Sequence, residues 1–123
     1  MANAEHLRLL LTPDWARFRQ ENPRILPDLT DARLDGADLH GVDLSRSVLQ
    51  RASLEGANLR GANLASAKVT LARFGKAILD GADCSGVGFD LLDLQGCSFK
   101  GTNFTGATFR GADLSGCDLS GAT

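Results

Sequence analysis

The side chains that could carry out chemistry in this protein are few, and their spacing gives none of them a partner. His6 precedes the regular part of the sequence and His40 is expected to point outward, whereas a general base needs a positioned partner and a pocket. Cys97 and Cys117 are twenty residues apart, and two thiols without further ligands make a poor zinc site. We interpret them and Cys84 as small apolar core residues. The sequence therefore predicts that the protein is not an enzyme and that it has no catalytic, cofactor-binding or metal site.

The composition is that of one small domain without a strong electrostatic field. The protein has 123 residues and a net charge of −2, from 15 acidic and 13 basic residues, so nothing in it attracts nucleic acid or a membrane surface. An odd number of cysteines favours a reducing compartment over a disulfide framework. The first apolar run is short and interrupted by Arg8, and no stretch reaches the roughly 20 apolar residues of a membrane span. We expect a cytoplasmic protein without direct contacts to nucleic acid, membrane or a small-molecule substrate.

A five-residue period runs through the sequence from residue 29 onward. Every fifth residue is Leu, Phe, Val or Cys, and the residue two places earlier is small, with Leu92 as the bulky exception. The other positions are mostly Asp, Asn, Arg, Ser, Lys or Gly, which are outward-facing types. The central residues of the repeats are Leu29, Leu34, Leu39, Leu44, Leu49, Leu54, Leu59, Leu64, Val69, Phe74, Leu79, Cys84, Phe89, Leu94, Phe99, Phe104, Phe109, Leu114 and Leu119.

Neither a helix nor a straight strand fits this period. A helix would spread the apolar residues over all of its faces. An extended strand places residues i−2 and i on one face, which fits one repeat but fails in the next, because five is odd. The backbone must therefore bend once per repeat, and the frequent Gly after the central residue tolerates the required turn. Short sides joined by regular bends form a solenoid whose coils pair with the coils above and below.

The glycine pattern indicates how many sides each coil has. A step of fifteen residues mixes glycine with other residue types, whereas a step of twenty gives an unbroken series. That series stands two places after the central residues and consists of Gly41, Gly61, Gly81, Gly101 and Gly121. Four sides and twenty residues per coil are therefore the better fit.

Runs such as GADLHGVDL, GANLRGANL and GADLSGCDLSGA resemble the pentapeptide repeat family over residues 28–123. One copy of the motif is weak evidence, whereas an array of this length in one register is strong. The resemblance implies an all-β solenoid, namely a right-handed quadrilateral β-helix with four pentapeptides per coil and about five coils. In this fold the central and the small residues point inward.

Residues 1–27 lack the repeat and are predicted to form an N-terminal α-helical cap for the β-helix of residues 28–123. Asn3 could cap a first helix, and TPDWARFRQEN predicts a helix with Thr12 as its N-cap that stops at residues 22–23. This leader is similar to those of bacterial members of the family. We interpret its apolar face as a plug over the first coil, with Trp15 as a partner anchor in the alternative. That face carries Leu10, Leu11, Trp15 and Phe18.

No cap is evident at the C-terminal end of the array. GADLSGCDLSGAT stops within a repeat, which would leave backbone groups unpaired and Leu119 exposed. Either two molecules meet end to end through Leu114 and Leu119, or the sequence is truncated. Some family members dimerise through their C-terminal ends, so the resemblance favours a homodimer.

A candidate partner surface lies where apolar residues take outward positions. Leu71 and Leu91 both stand two places after a central residue, in one column and one coil apart, and Val48 points outward on the same side in the preceding coil. Single exposed apolar residues are ordinary, but a stacked pair in so regular an array is the best local candidate for a protein contact.

Two functions remain open. The first is a non-catalytic scaffold that mediates protein–protein interaction through its flat faces. The second follows from the resemblance, since some family members mimic a DNA duplex and bind type II topoisomerases such as gyrase. A duplex of this length, roughly 24 Å, would carry about 14 phosphates, whereas acids and bases are interspersed on most sides of this coil. The side with Asp43 and Asp83 is the cleanest, and it is short. We therefore favour the scaffold.

Overall fold

Two short helices precede a regular coil in the computed structural model, which describes all residues from Met1 to Thr123. Helix α1 spans Ala4–Leu10 and helix α2 spans Trp15–Glu21. From residue 28 onward the backbone repeats one bridge and one turn every five residues. Neither helix has the length and apolarity that crossing a membrane would require.

The coil has four sides and twenty residues per turn. Parallel bridges join residues that are twenty apart, as in the pairs Asp43 with Asn63 and Ser98 with Asp118. Residues 28–123 therefore make nearly five coils. These bridges are isolated and form no continuous strands, because a bend follows in every repeat. The four-sided coil is confirmed, while its right hand stays an implication of the family resemblance.

Each bend is a turn that favours glycine. The N–H of the small residue donates to the C=O of the preceding central residue, as from Ala32 to Leu29 at 3.0 Å. The residue two places after the centre has a φ between 57° and 73°, as in a type II turn, where glycine avoids a clash of Cβ. Twelve of these residues are glycine and seven are not.

Backbone hydrogen bonds join each coil to both of its neighbours. The N–H of a central residue donates to the following coil, as from Leu39 to Asn58 at 2.7 Å. The N–H of the residue before a centre donates to the preceding coil, as from Asn58 to Ala37 at 2.9 Å. A coil that keeps this pattern is satisfied on both sides, so that unpaired groups are expected only at the two ends.

The interior is filled by the central and the small residues, as predicted. Twenty-nine buried apolar residues form one core, and the central leucines of the first three coils are essentially inaccessible. The late phenylalanines cluster with ring centroids 5.0–6.4 Å apart; they are Phe74, Phe89, Phe99, Phe104 and Phe109.

The cap differs from its prediction in where the second helix begins. Asn3 does cap α1, accepting from the N–H groups of Glu5 and His6. The prediction of Thr12 as the N-cap of α2 was wrong, since its hydroxyl donates to Leu9 C=O at 2.7 Å and thereby helps to end α1. The N-cap of α2 is Asp14. Residues 11–14 separate the two helices, so Leu11 does not share their apolar face and is exposed.

Candidate functional site

The backbone ladder is interrupted at one inner joint, which we call the split. It lies between residues 67–75 and residues 87–95, on two sides of the coil, where the bridges between residues 68 and 88 and between 73 and 93 are missing. The same two sides are fully hydrogen-bonded in the joints below and above. The N–H groups left without an acceptor belong to Val69, Leu71, Phe74, Gly88 and Asp93, and the C=O groups left without a donor to Ala67, Ala72, Gly88, Asp90 and Asp93.

Crowding inside the coil accounts for the split. After residue 50, the position two before each centre is Ala, Cys or Thr, except at Val87 and Leu92. Both of these larger side chains are buried, and they lie one coil from the alanines at 67 and 72. They also lie one coil from the alanines at 107 and 112, in a joint that stays hydrogen-bonded, so the extra volume is accommodated by separating the coils at one of the two joints.

Leu71 and Leu91 lie at the corner of the split and form an exposed apolar pair. Leu71 is 62% and Leu91 is 80% exposed. Their φ angles are 60° and 63°, a left-handed conformation that costs a residue with a Cβ about 1–2 kcal/mol. The Leu91 side chain lies over Gly111, since a Cβ there would be 2.8 Å from Leu91 Cδ2. Exposure and backbone strain therefore coincide in this pair.

The apolar pair lines a groove of about 190 Å³ that opens at the split. The groove does not include Val48, which is half-buried and bridges Asp28 and Lys68 in its own column. The structure thus brings together two of the three residues of the predicted surface. The remaining lining of the groove consists of Glu55, Ala72, Arg73, Gly75, Leu92 and Asp93.

A second, polar depression adjoins the groove and shares Glu55, Gly75 and Asp93 with it. This Gly75 depression has a volume of about 500 Å³ and is completed by Gly56, Lys76 and Gln95. The carboxylate of Glu55 lies beside Gly75 and takes part in no ion pair or hydrogen bond. Sequence reasoning missed this depression, although a glycine outside the turn position was a visible signal.

The cysteine thiols are held in the core of the coil and by backbone hydrogen bonds. Burial raises the pKa of the Cys84 and Cys97 thiols to about 12, and it also raises the pKa of Cys117. The thiols of Cys97 and Cys117 donate to backbone carbonyl oxygens of the preceding coil, at 3.0 and 2.9 Å. No group of three or more His, Cys, Asp or Glu residues is arranged to hold a metal ion.

At the N-terminal end, side chains of the cap replace the hydrogen bonds of a further coil. On one side Asp28 N–H donates to His6 Nδ1 at 2.9 Å. On another side Trp15 Nε1 and Arg19 both donate to Asp43 C=O at 2.8 Å, and Arg19 also donates to Ser45 C=O at 2.9 Å. Burial lowers the pKa of Arg19, and the charge of Asp43 opposes this shift. Trp15 is 3% exposed, so it acts within the plug.

The last coil presents an open edge. Leu114 is half-buried and Leu119 is 44% exposed. Seven N–H groups of this coil have no acceptor in the structure, whereas the equivalent groups of the closed joints do; they belong to Gly106, Phe109, Gly111, Leu114, Gly116, Leu119 and Gly121.

One column of the wall carries no base and alternates carboxylates with amides. Asp43, Asn63, Asp83 and Asn103 bridge one another in sequence. Each side-chain oxygen accepts the N–H two residues later, as Asp83 does from Ser85 at 3.0 Å. Charges therefore occur only in every second coil, about 10 Å apart at the usual spacing of paired strands.

Comparisons with known proteins identify the family. The model for pentapeptide repeats matches residues 28–65, 57–91 and 92–123, with eight copies. No curated protein matches this sequence. Among solved structures, it is similar to a pentapeptide repeat protein from the thylakoid lumen of Arabidopsis thaliana, with 31% identity, 77% of this protein and 63% of that one covered, and a TM-score of 0.39.

Two further solved structures are similar to this protein. One is a pentapeptide repeat protein of the cyanobacterium Cyanothece 51142, at 33% identity, with 80% of this protein and 61% of that one covered and a TM-score of 0.39. The other is a trypsin-treated form of QnrB1, a plasmid-mediated fluoroquinolone resistance protein, at 23% identity, 75% and 60% coverage and a TM-score of 0.43. The sequence spans less than two thirds of each of these three proteins. The match of the family model over the whole coil shows that the protein belongs to the pentapeptide repeat family.

Proposed function

We propose that the protein is a non-catalytic scaffold that binds a protein partner through the surface around Leu71 and Leu91. The observation that carries the proposal is the coincidence of exposure, left-handed backbone and an interrupted ladder at one place. Glycine at these two positions would relieve the backbone strain, and it occupies the same column at Gly111. Backbone strain that no interaction within the protein offsets is typical of binding sites.

The expected strength of such a contact is modest. Fully burying the side chain of one leucine stabilises a complex by about 1.5–3 kcal/mol, so the apolar pair alone would supply roughly 3–6 kcal/mol before the costs of association. This magnitude suits a transient partner, or one that also contacts the flat walls on either side.

The absence of a catalytic role is part of the proposal, and the surroundings of the reactive groups support it. His6 is engaged in the cap, and His40 pairs on the surface with Asp38 at 2.6 Å. The raised pKa values keep Cys84 and Cys97 as thiols, which are poor nucleophiles.

The proposal is tested by the double variant Leu71→Asp, Leu91→Asp. Asp31 shows that aspartate is tolerated in this column with a φ of 63°, so we expect a thermal midpoint within a few degrees of wild type. Proteins that crosslink to the wild-type surface should be lost with the double variant and retained with Arg60→Asp, an exposed control on another side. Retention of the same partners by the double variant would refute this surface, and unfolding would show that the leucines are structural.

The second candidate is a DNA-mimicking inhibitor of gyrase, which the column of Asp43 and Asp83 favours because no base interrupts it. Its charge density is low, since a duplex carries one charge per about 1.7 Å. The assay is inhibition of gyrase supercoiling by the protein, with Asp83→Lys as the matched variant. Inhibition by the wild type that Asp83→Lys abolishes would replace the scaffold proposal, whereas inhibition by neither protein would leave it in place.

We also propose that two copies meet at the open edge of the last coil, through Leu114 and Leu119. The unpaired N–H groups and the exposed Leu119 support this proposal. Sedimentation equilibrium should show a dimer that Leu119→Asp weakens. A wild-type protein that stays monomeric at about 100 μM would contradict the proposal.

A further inference from the structure

We propose that the split and the Gly75 depression together receive an arginine of the partner, and that an apolar residue of the same segment packs on Leu71 and Leu91. The inference rests on the proposed function, because it assigns the chemistry of the partner to that surface. The occupant is an extended segment in which the apolar residue and the arginine are two positions apart, so that both side chains point to the same side.

Gly75 makes room for a side chain from outside. Of the fourteen glycines, only Gly75 and Gly88 lack a positive φ, so the backbone does not require glycine at either position. A Cβ built on Gly75 would meet nothing closer than 3.9 Å. The same column continues with side chains at Gln95 and Ser115. Gly75 therefore leaves a gap in a wall that could have been filled.

The charge closest to the gap is negative and favours a cation there. The nearest charge is the Glu55 carboxylate, whose Oε1 lies 3.9 Å from the position of a Cβ on Gly75 and has no partner. Two bases also line these depressions, namely Lys76, whose Cγ lies against Gly96 of the next coil, and Arg73. The charge of Arg73 attracts the Asp35 carboxylate, since the pKa of Asp35 is lowered mainly by the Ser53 hydroxyl and further by the charges of Arg73 and Arg33.

Unpaired acceptors at the split select arginine over lysine. The C=O of Asp93 has no donor, and Asp93 lines both depressions together with Glu55. A guanidinium group presents several N–H donors in one plane and can serve carboxylate and carbonyl oxygens at once. An ammonium group is a compact point charge that fits such an extended acceptor set less well.

The N-terminal end of the same coil provides an internal precedent. There Arg19 donates to the free C=O groups of Asp43 and Ser45 while Trp15 covers the apolar core beside it. Asp43 and Asp93 occupy the same position of their repeats, directly before a central residue. An apolar residue and an arginine thus already cap free carbonyl groups at the end of the coil, and we infer that the partner supplies the same pair at the split.

The experiment is a titration of the full ¹⁵N-labelled protein, followed by amide chemical shifts, with the peptide acetyl-Gly-Leu-Ser-Arg-Gly-amide. We expect saturable shifts at Leu71, Gly75, Lys76, Leu91 and Asp93. Replacing the arginine by citrulline, which keeps the shape but removes the charge, should weaken binding roughly three- to fivefold. Gly75→Gln should weaken it roughly tenfold by filling the gap, and Ala65→Gln, which adds the same side chain at the equivalent repeat position on another side of the coil, should leave it unchanged.

The outcomes separate this inference from the proposed function. Equal affinity for the arginine and citrulline peptides, or equal affinity of wild type and Gly75→Gln, would overturn the inference while the apolar surface could still stand. Shifts that map away from Leu71 and Leu91, or no saturable shift up to about 10 mM, would overturn it as well. Loss of protein partners in the Leu71→Asp, Leu91→Asp variant depends on neither peptide and tests the surface alone.

Discussion

On the same two sides of the coil, the joint around residues 48–55 is closed and the joint around residues 68–75 is split. In the closed joint Leu49, Arg51 and Leu54 donate to the following coil at 2.7–2.9 Å. In the split, the equivalent N–H groups of Val69, Leu71 and Phe74 have no acceptor. Backbone geometry and turn type are alike in both. What differs is the inner layer, where the alanines at 67 and 72 lie next to small residues at 47 and 52 in the closed joint but next to Val87 and Leu92 in the split.

The comparison indicates that closure of a joint is sensitive to volume at the small position, although Val87 and Leu92 open only one of the two joints that they contact. The central residue varies from Val to Phe without breaking other joints, as at Phe99 and Phe104 in the late coils. A second bulky residue in the same repeat adds volume that a coil spacing of about 4.8 Å does not accommodate on both sides, so one of the two joints opens. On the outer wall, the result is a set of unpaired backbone groups next to the strained residues Leu71 and Leu91.

The largest effect is expected from a charge in a closed joint. Leu59 is fully buried, and Leu59→Asp would leave an unpaired carboxylate in the core, at a cost of roughly 5 kcal/mol or more. We expect the coil to unfold, as measured by circular dichroism and thermal denaturation. Leu119→Asp is the matched control in the same column, and its partial exposure limits the cost to about 1 kcal/mol. A folded Leu59→Asp protein would show that the inward register is wrong.

Hydrogen exchange should distinguish the two joints without any substitution. The amides of Val69, Leu71 and Phe74 have no acceptor, so we expect them to exchange roughly 100-fold faster than those of Leu49, Arg51 and Leu54. The measurement is native-state amide exchange by NMR. Equal protection of the two sets would mean that the split closes in solution, and the proposed insertion of a partner side chain would lose its basis.

Leu92→Ala tests whether crowding causes the split. A buried Leu→Ala change usually costs about 2–5 kcal/mol, and we expect that cost for Leu94→Ala, the central residue of the same repeat. For Leu92→Ala the coils can approach and restore hydrogen bonds, so the net cost should stay below about 1 kcal/mol. Slower exchange of Val69 and Leu71 in this variant would accompany closure. Equal costs for the two variants would contradict the crowding argument.

The repeat could be predicted from the sequence because each of its rules is local. The central residues, the small residues and the glycine column specify inward positions and bends without knowledge of any distant contact. The role of Trp15 and Arg19 could not be predicted in detail, since their acceptors are carbonyl groups that lie 24 to 28 residues away. The prediction of Thr12 as an N-cap was wrong for a related reason, because its hydroxyl forms hydrogen bonds both at the end of α1 and just before α2.

The candidate site was predicted only in part. Leu71 and Leu91 were found because their type breaks the pattern of the wall. Leu92 breaks the inner pattern in the repeat that follows Leu91, but a sequence does not show whether a coil accommodates the extra volume by repacking or by separating. Val48 breaks the outer pattern as well, yet the structure buries half of it in its bridge column.

The smallest expected effect concerns a hydroxyl in the first coil. Ser47 is fully buried and its Oγ has no hydrogen-bond partner. In later coils the same position donates to the central C=O twenty-three residues earlier, as Thr102 does to Leu79 at 2.7 Å. The residue twenty-three places before Ser47 is Arg24, which precedes the repeats and is not a central residue.

Ser47→Ala should therefore raise stability by about 1 kcal/mol, or roughly 3 °C in the thermal midpoint. Thr102→Val, which removes a paired hydroxyl at constant shape, should lower it by a similar amount. A loss of stability in Ser47→Ala would show that this hydroxyl has a partner in solution and that the first joint is as complete as the later ones.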